Sequence, residues 1–157
     1  MAYSALAVAK EFLDLGEKDG IPISPMKLIK LVYFAHGWFL GVAEKPLIDE
    51  PVQAWKYGPV VNSIYQAFKI YGSSPIDLDE YPHVRALVEV KEQEIPRSGS
   101  ERMVIDRVWK EFRHTSAFEL SAMTHTSGSP WEKAWEMAGG ASYFTIANTD
   151  IQEYFAG

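Results

Sequence analysis

The chain has no cysteine among its 157 residues. This absence excludes disulfide bridges and thiolate metal sites, and it suits a reducing compartment such as the cytoplasm. The sequence also lacks an apolar run long enough to cross a membrane, and it lacks the basic leader that begins a signal peptide. We therefore expect a cytoplasmic protein without a membrane partner.

Basic residues are the scarcer charged class, with 15 lysines and arginines against 21 acidic residues and a net charge of -6. Phosphate contacts need a basic surface, so this balance argues against nucleic acid as a partner. The charge is uneven, because residues 21–71 contain five lysines and three acidic residues. Such a segment would attract an acidic partner surface, although solvated lysines without a binding role explain the same pattern.

Spacings that carry catalysis or metal binding are missing. The chain has four histidines, and no two of them lie one helical turn apart, so the helical zinc signature is absent. It contains no Gly-x-Ser-x-Gly elbow, no phosphate-binding loop and no dinucleotide glycine pattern. The sequence therefore predicts no catalytic residues, no metal and no cofactor.

The first third of the chain predicts two helices. Apolar residues at three-and-four spacing indicate a helix from about Ser4 to Lys18. Ser24 is a suitable N-cap for a second helix at about 25–40, which Gly41 would end. Apolar side chains occupy two faces of this second helix, so we expect it at the centre of the fold.

The middle of the chain is less regular. Alternating residues at 52–57 predict a short strand or extended segment, with Trp55 and Tyr57 on the same side. Gly58 and Pro59 would then turn the chain into a third helix that ends at Gly72. Residues 73–100 are punctuated by proline and serine, and only residues 84–90 suggest regular structure, of either type.

The final third is marked by helix-capping patterns. Ser100 is predicted to cap a further helix, two capping boxes begin at Ser116 and Ser129, and a short terminal helix is predicted after Thr149. With the preceding elements, these patterns predict a mainly α protein, an α+β fold with one minor extended element. We expect a compact helical single domain over residues 1–157, built around the central buried helix at about 25–40.

Several dense motifs give the strongest indication of function. The chain reads PMKLIKLVYFAH at 25–36, AWKYGPVV at 54–61, FELSAMTH at 118–125 and PWEKAW at 130–135. In this combination it resembles the Panacea domain family, the SocA-like antitoxins that also include phage-associated proteins of the GepA type. The matching residues are Met26, Lys27, Leu28, Lys30, Leu31, Tyr33, His36, Trp55, Tyr57, Gly58, Pro59, Tyr65, Tyr71, Gly72, Leu120, Thr124, His125, Pro130 and Trp131.

This resemblance implies a mostly helical antitoxin that binds and neutralises a cognate toxin encoded nearby. One family member is also a proteolytic adaptor, so a protease or its unfoldase is a second implied partner. Many members carry an accessory segment such as an N-terminal DNA-binding domain. We expect no separate DNA-binding domain here, because the chain starts with a single amphipathic helix.

The most distinctive candidate for partner binding is the cluster of Trp55, Lys56, Tyr57 and Pro59. Aromatic side chains with polar tips are typical interface anchors when they are exposed. When they are buried they pack between helices, which is their more common fate. His125 and Trp131 present the same choice between interface and core.

Lys27 and Lys30 are further candidates, because they lie in the first turns of the second helix. The positive end of the helix dipole disfavours cations there. We expect either that they meet carboxylates, of a partner or of Asp49 or Glu50, or that they are solvated lysines whose stems cover apolar surface.

Two alternatives to the antitoxin hypothesis come from other classes of protein. One is a phage-associated enzyme or effector with a histidine-containing cleft formed by His36, His125 and the strand at 55–57. A bound ion held by both histidines would favour it. The other is a scaffold for phage assembly or host takeover.

Overall fold

A computed structural model describes residues 2–89, 94–139 and 144–156, which form eight α-helices and three short β-strands. The helices are α1 (Ala5–Asp19), α2 (Pro25–Ala43), α3 (Asn62–Phe68), α4 (Pro82–Val88), α5 (Ser100–Phe112), α6 (Ala117–Thr124), α7 (Pro130–Met137) and α8 (Asn148–Ala156); the strands are β1 (Val52–Trp55), β2 (Gly58–Val60) and β3 (Phe144–Ile146). The predicted class, mainly α with a minor β element, is confirmed.

Helix α2 is the centre of the fold, as its two apolar faces predicted. Ser24 caps its first turn by accepting a hydrogen bond from the Lys27 amide, and Pro25 occupies the first helical position. Between residues 25 and 40 only Met26 is exposed and only Trp38 is half-buried. The helix contacts α1, α3, α5, α6, α8 and β2, so it packs against neighbours on every side.

Helix α2 continues three residues beyond the predicted end, and the prediction that Gly41 stops it was wrong. Gly37 and Gly41 instead allow α8 to pack closely. A Cβ at Gly37 would lie 2.5 Å from the ring of Phe155, and one at Gly41 would lie 2.8 Å from the Phe155 carbonyl oxygen. The helix ends at Ala43, and its C-cap is Glu44, whose φ of 58° is left-handed.

The three strands form an antiparallel sheet in the order β2, β1, β3. The predicted extended segment at 52–57 is split, because β1 ends at Trp55 and the chain turns at Lys56 and Tyr57. Gly58 and Pro59 belong to β2, so the prediction that they lead directly into a helix was wrong. Pro59 is tolerated there because β2 is an edge strand.

Part of the segment at 73–100 is regular. Residues 82–88 form α4, which buries Val84 and Val88 against the core. The Tyr71 hydroxyl donates to the Asp77 carbonyl at 2.8 Å and ties the preceding loop to the core. Residue 90, the end of the regular stretch predicted at 84–90, lies outside the described residues, as do residues 91–93 and 140–143.

The predicted capping boxes mark the starts of α6 and α7. The hydroxyl of Ser116 accepts from the Glu119 amide at 3.1 Å, and that of Ser129 accepts from the Glu132 amide at 3.2 Å. Ser100 is the first residue of α5 rather than its cap, which is Gly99. None of the helices in the described residues combines the length and apolarity that a membrane crossing requires.

The close approach of α2 and α8 can be tested with Gly37→Ala. Alanine is the better helix former by about 1 kcal/mol, so the substitution would stabilise an isolated helix. Here we expect it to destabilise the fold by about 1–3 kcal/mol, because its Cβ would overlap the Phe155 ring. Urea unfolding of Gly37→Ala, Phe155→Leu and the double variant measures this. The double variant should lose less than the sum of the singles; additive losses would contradict the clash.

Candidate functional site

Three helices hold the β1–β2 hairpin by its backbone. The indole nitrogen of Trp131 donates to the Trp55 carbonyl at 2.6 Å, and the hydroxyl of Ser121 donates to the Tyr57 carbonyl at 2.8 Å. The ammonium nitrogen of Lys30 donates to the Pro59 carbonyl at 2.9 Å. We call Lys30, Ser121 and Trp131 the hairpin brace, since they come from α2, α6 and α7 and fix every second carbonyl from residue 55 to residue 59.

Lys30 is the most deeply buried member of the brace, with 1% of its surface exposed. It has no ion-pair partner in the part of the chain that the structure describes. Burial lowers the pKa of Lys30 to about 7, because desolvation penalises its charged form. The side chain is therefore a hydrogen-bond donor that loses its charge near neutral pH.

Gly58 is required by the crowding around Lys30. Its φ of 121° lies in the region that favours glycine. A Cβ at this position would lie 2.8 Å from the Lys30 nitrogen and 2.9 Å from the Thr124 hydroxyl oxygen. Both distances are shorter than real Cβ contacts, so only glycine lets the hairpin come this close to the lysine and the threonine.

His125 and Trp131 pack against each other beside Lys30, Gly58 and Thr124. Their rings lie 4.1 Å apart, and Trp131 also stacks on Trp135 at 5.5 Å. The Nδ1 atom of His125 lies 2.6 Å from the Ser121 carbonyl oxygen, so that nitrogen carries a proton. The histidine thus orients the brace tryptophan and anchors to α6.

The outer side of the hairpin is exposed. Tyr57 is 63% exposed at the turn, and the Lys56 ammonium nitrogen lies 5.5 Å from the centre of its ring. Trp55 is half-buried and packs edge-to-face on Tyr65 of α3 at 4.9 Å. We call Trp55, Lys56, Tyr57 and Tyr65 the hairpin face. In the predicted aromatic cluster, the backbone of the hairpin therefore faces the helices, whereas the side chains at the turn are exposed.

The burial and the hydrogen-bond partners of Lys27 and Lys30 differ from the prediction. Both lysines are buried, so the prediction of solvated lysines was wrong, and neither forms an ion pair with a carboxylate among the described residues. Lys27 donates to the Arg113 carbonyl at 2.5 Å, at the C-terminal end of α5, where a cation complements the helix dipole. Burial also lowers the pKa of Lys27. Glu50, one of the predicted partners, instead accepts from the Ala5 amide at 2.6 Å.

His36 lies in different surroundings from His125. Its Nδ1 atom accepts from the backbone amides of Leu47 and Ile48 at 3.3 and 3.4 Å, so its Nε2 atom donates to the Asn148 side chain at 3.0 Å. Desolvation lowers the pKa of His36, against the opposing effect of the Asn148 hydrogen bond. The two histidines do not share a cleft in the described structure, and its histidine and acidic residues form no group of three or more that could hold a metal.

The remaining motif residues divide between core and surface. Met26 and Tyr65 are partly exposed, and Gly72 ends the short 3₁₀ turn after α3 with a φ of 61°. The buried members are Leu28, Leu31, Tyr33, Tyr71, Leu120, Thr124 and Pro130. Ser121 was not among the predicted site residues, although it lies in the motif at 118–125, because a serine inside a helix carries no distinctive signal.

Comparison with known proteins identifies relatives. The family model described as "Antitoxin SocA-like, Panacea domain" matches residues 28–132. The chain is also 36% identical over 133 residues to "Antitoxin SocA" of Caulobacter vibrioides (strain NA1000 / CB15N), covering 82% of this chain and 68% of that protein. None of the solved structures matches this chain. The matched range spans the whole hairpin and all three residues of the brace.

Lys30→Met tests the energetics of the brace through pH. The unfolded chain keeps this lysine charged up to a pH of about 10.5, whereas the folded chain releases the proton near 7. The parent therefore gains stability as pH rises through this window, and the methionine variant lacks that gain. Between about pH 6 and about pH 9.5, the stability of the variant relative to the parent should fall by about 3 kcal/mol.

Urea unfolding at both pH values measures this difference. Lys18→Met, which removes an exposed lysine from α1, controls for the loss of one positive charge from the chain. A difference between the Lys30 variant and the parent that stays constant with pH, or that moves in the opposite direction, would contradict the buried-amine description.

Proposed function

The chain belongs to the SocA-like Panacea domain family, and on this premise we propose that it is an antitoxin that blocks a nearby-encoded toxin by direct binding. The observation that carries the proposal is the hairpin face, an exposed aromatic and cationic surface on a hairpin whose backbone is held by three helices. The proposal includes a cytoplasmic location, where the antitoxin meets a toxin made in the same cell.

The brace favours binding because it restricts the hairpin before the partner arrives. A flexible hairpin would lose conformational freedom on association, and that loss weakens affinity. Here Trp131, Ser121 and Lys30 already fix three hairpin carbonyls. Tyr57 can therefore contact a partner at a low entropic cost.

Exposed apolar surface next to the hairpin enlarges the proposed interface. Ser121 on α6 contacts the Tyr57 carbonyl, and Phe118 lies one turn before Ser121 on the same helix face. Phe118 is 81% exposed, which is unusual for an aromatic side chain without a partner. We therefore include Phe118 with Tyr57 among the residues that contact the toxin.

The chemistry of the hairpin face indicates an acidic partner surface. Lys56 is exposed at the turn, whereas Lys27 and Lys30 are buried and support the fold around it. A cation beside aromatic rings steers an acidic patch during encounter, and the rings supply the desolvated contact area. Lys27 and Lys30 are accordingly positioning residues in this proposal, and His125 and Trp131 hold the hairpin from behind.

The proposal assigns the protein no catalytic activity. The enzyme alternative required a cleft that holds both His36 and His125, and these side chains have separate partners in the described structure. A proteolytic-adaptor role would need a separate measurement, in which the half-life of the toxin shortens only when the antitoxin is present.

Lys56→Glu with Tyr57→Ser tests the hairpin face. Both side chains are exposed, so the melting temperature should stay close to that of the parent. We expect the double variant to lose protection of cells that express the adjacent toxin gene, and to lose co-purification with the toxin, because the anchor and the steering charge are both gone. Lys18→Glu with Leu87→Ser, an exposed lysine and an exposed leucine on α1 and α4, is the control.

Full protection by the folded hairpin variant would disprove the proposed surface while leaving the antitoxin function standing. Failure of the parent itself to bind or protect against the adjacent gene product would disprove the antitoxin function. Equal loss in the hairpin and control variants would contradict the choice of this face.

Trp131→Phe tests the brace separately from the face. Phenylalanine keeps an aromatic ring beside His125 but removes the N–H that donates to the Trp55 carbonyl. We expect amide hydrogen exchange in β1 and β2 to speed up by about tenfold, since the hairpin opens more often. Toxin binding should weaken although the hairpin face is chemically unchanged; unchanged exchange and affinity would show that the brace is dispensable.

A further inference from the structure

An apolar groove lies between the C-terminal half of α2, the first turns of α5 and the end of α8. Its volume is about 770 Å³. Trp38 and Val104 form its floor together with Phe155, which also packs edge-to-face on Tyr33. Two large apolar residues, Val42 and Met103, lie on its rim, and each is 71% exposed to solvent. Exposed side chains of this size on facing helices are typical of an interaction surface.

The charges that line the groove have one sign. Lys45 and Arg107 are its charged lining residues, in a chain whose net charge is -6. Arg107 has no ion-pair partner within the described ranges. The carboxylate of Glu101, which interacts with Lys45, already accepts the Tyr3 hydroxyl at 3.0 Å. An occupant that brings its own carboxylates would complement this rim.

We propose that the groove binds an amphipathic helix of a partner protein, with apolar residues on the face that enters it and carboxylates along the edge that meets Lys45 and Arg107. The space accommodates several apolar side chains, and the surface on either side consists of side chains from helices. Helix-in-groove recognition uses this geometry, with anchors spaced three and four residues apart.

A helix fits this groove better than an extended peptide does. The lining residues belong mainly to α2, α5 and α8, and among the described residues the lining includes no strand edge with which an extended peptide could pair. An extended segment would bury its own amide and carbonyl groups against apolar side chains without partners, which is costly. A helix satisfies these groups internally.

The groove is independent of the hairpin face. Lys30 of the brace and Val42 of the groove are twelve residues apart on α2, which corresponds to about 18 Å along the helix axis. A partner helix could therefore occupy the groove while the hairpin face is occupied. The inference does not depend on the antitoxin function.

The test uses two synthetic 16-residue peptides, acetylated and amidated, with leucines along one helical face. One peptide carries glutamates beside the leucines, and the other carries lysines at the same positions. We expect saturable binding of the glutamate peptide in fluorescence anisotropy, with about tenfold weaker binding of the lysine peptide. In ¹⁵N-labelled protein, the amide shifts should localise to Val42, Met103 and Phe155.

Arg107→Glu and Lys110→Glu provide matched protein variants. Both reverse one exposed charge on α5, but only Arg107 lines the groove. Arg107→Glu should weaken binding of the glutamate peptide by about tenfold, while Lys110→Glu should leave it nearly unchanged. Met103→Ser should also weaken binding without loss of stability, because the side chain is exposed in the free protein.

Four outcomes would overturn the proposal. They are the absence of saturable peptide binding, equal effects of the two charge reversals, amide shifts confined to the hairpin, and binding of dodecanoate at the groove without binding of either peptide. The last would assign the groove to a small amphiphile. Self-association of the chain that Met103→Ser abolishes, without peptide binding, would assign it to a second copy and overturn the proposal as well.

Discussion

The hydrogen bond from Lys30 to the Pro59 carbonyl is the contact on which the described arrangement depends. It gives a partner to an amine that is buried in the central helix, where desolvation opposes the charge of that amine. A buried donor needs an acceptor, and a strand or turn with a free carbonyl can supply one. The hairpin supplies that carbonyl, and Gly58 gives it the room to come close enough. Core packing and hairpin position are thus coupled through one side chain.

The need of a buried donor for an acceptor also explains why residues that are distant in the chain meet at the hairpin. Lys30, Ser121 and Trp131 lie on different helices, yet each donates to a hairpin carbonyl. The sequence between them builds helices of the right length to bring these donors to one place. The side chains of Lys56 and Tyr57 are exposed, because the hairpin is held on its inner side through alternate backbone carbonyls. The hairpin brace and the proposed partner surface therefore belong to one hairpin, which is fixed from its inner side.

Helix α2 also organises the far end of the protein. Gly37 and Gly41 remove side chains where α8 crosses, which brings Phe155 onto the helix. This close packing leaves Val42 and Met103 exposed on either side of the groove, beside Lys45 and Arg107. A single central helix thus supports two chemically different surfaces, one aromatic and polar at the hairpin and one apolar with a cationic rim.

Local chemistry in the sequence determined the helices and their starts. Serine caps, first-turn prolines and three-and-four periodicity depend on residues within one or two turns, so Ser24, Ser116 and Ser129 marked the starts of their helices, and the apolar faces of α2 placed it in the centre. The sequence also carried the motifs of the family. Only tertiary structure decided that Gly41 lies inside a helix, that Lys27 and Lys30 are buried, and that residues 58–60 pair with β1. Each of these depends on a partner distant in sequence, namely α8, the Arg113 and Pro59 carbonyls, and the returning strand, and no local pattern specifies such a partner.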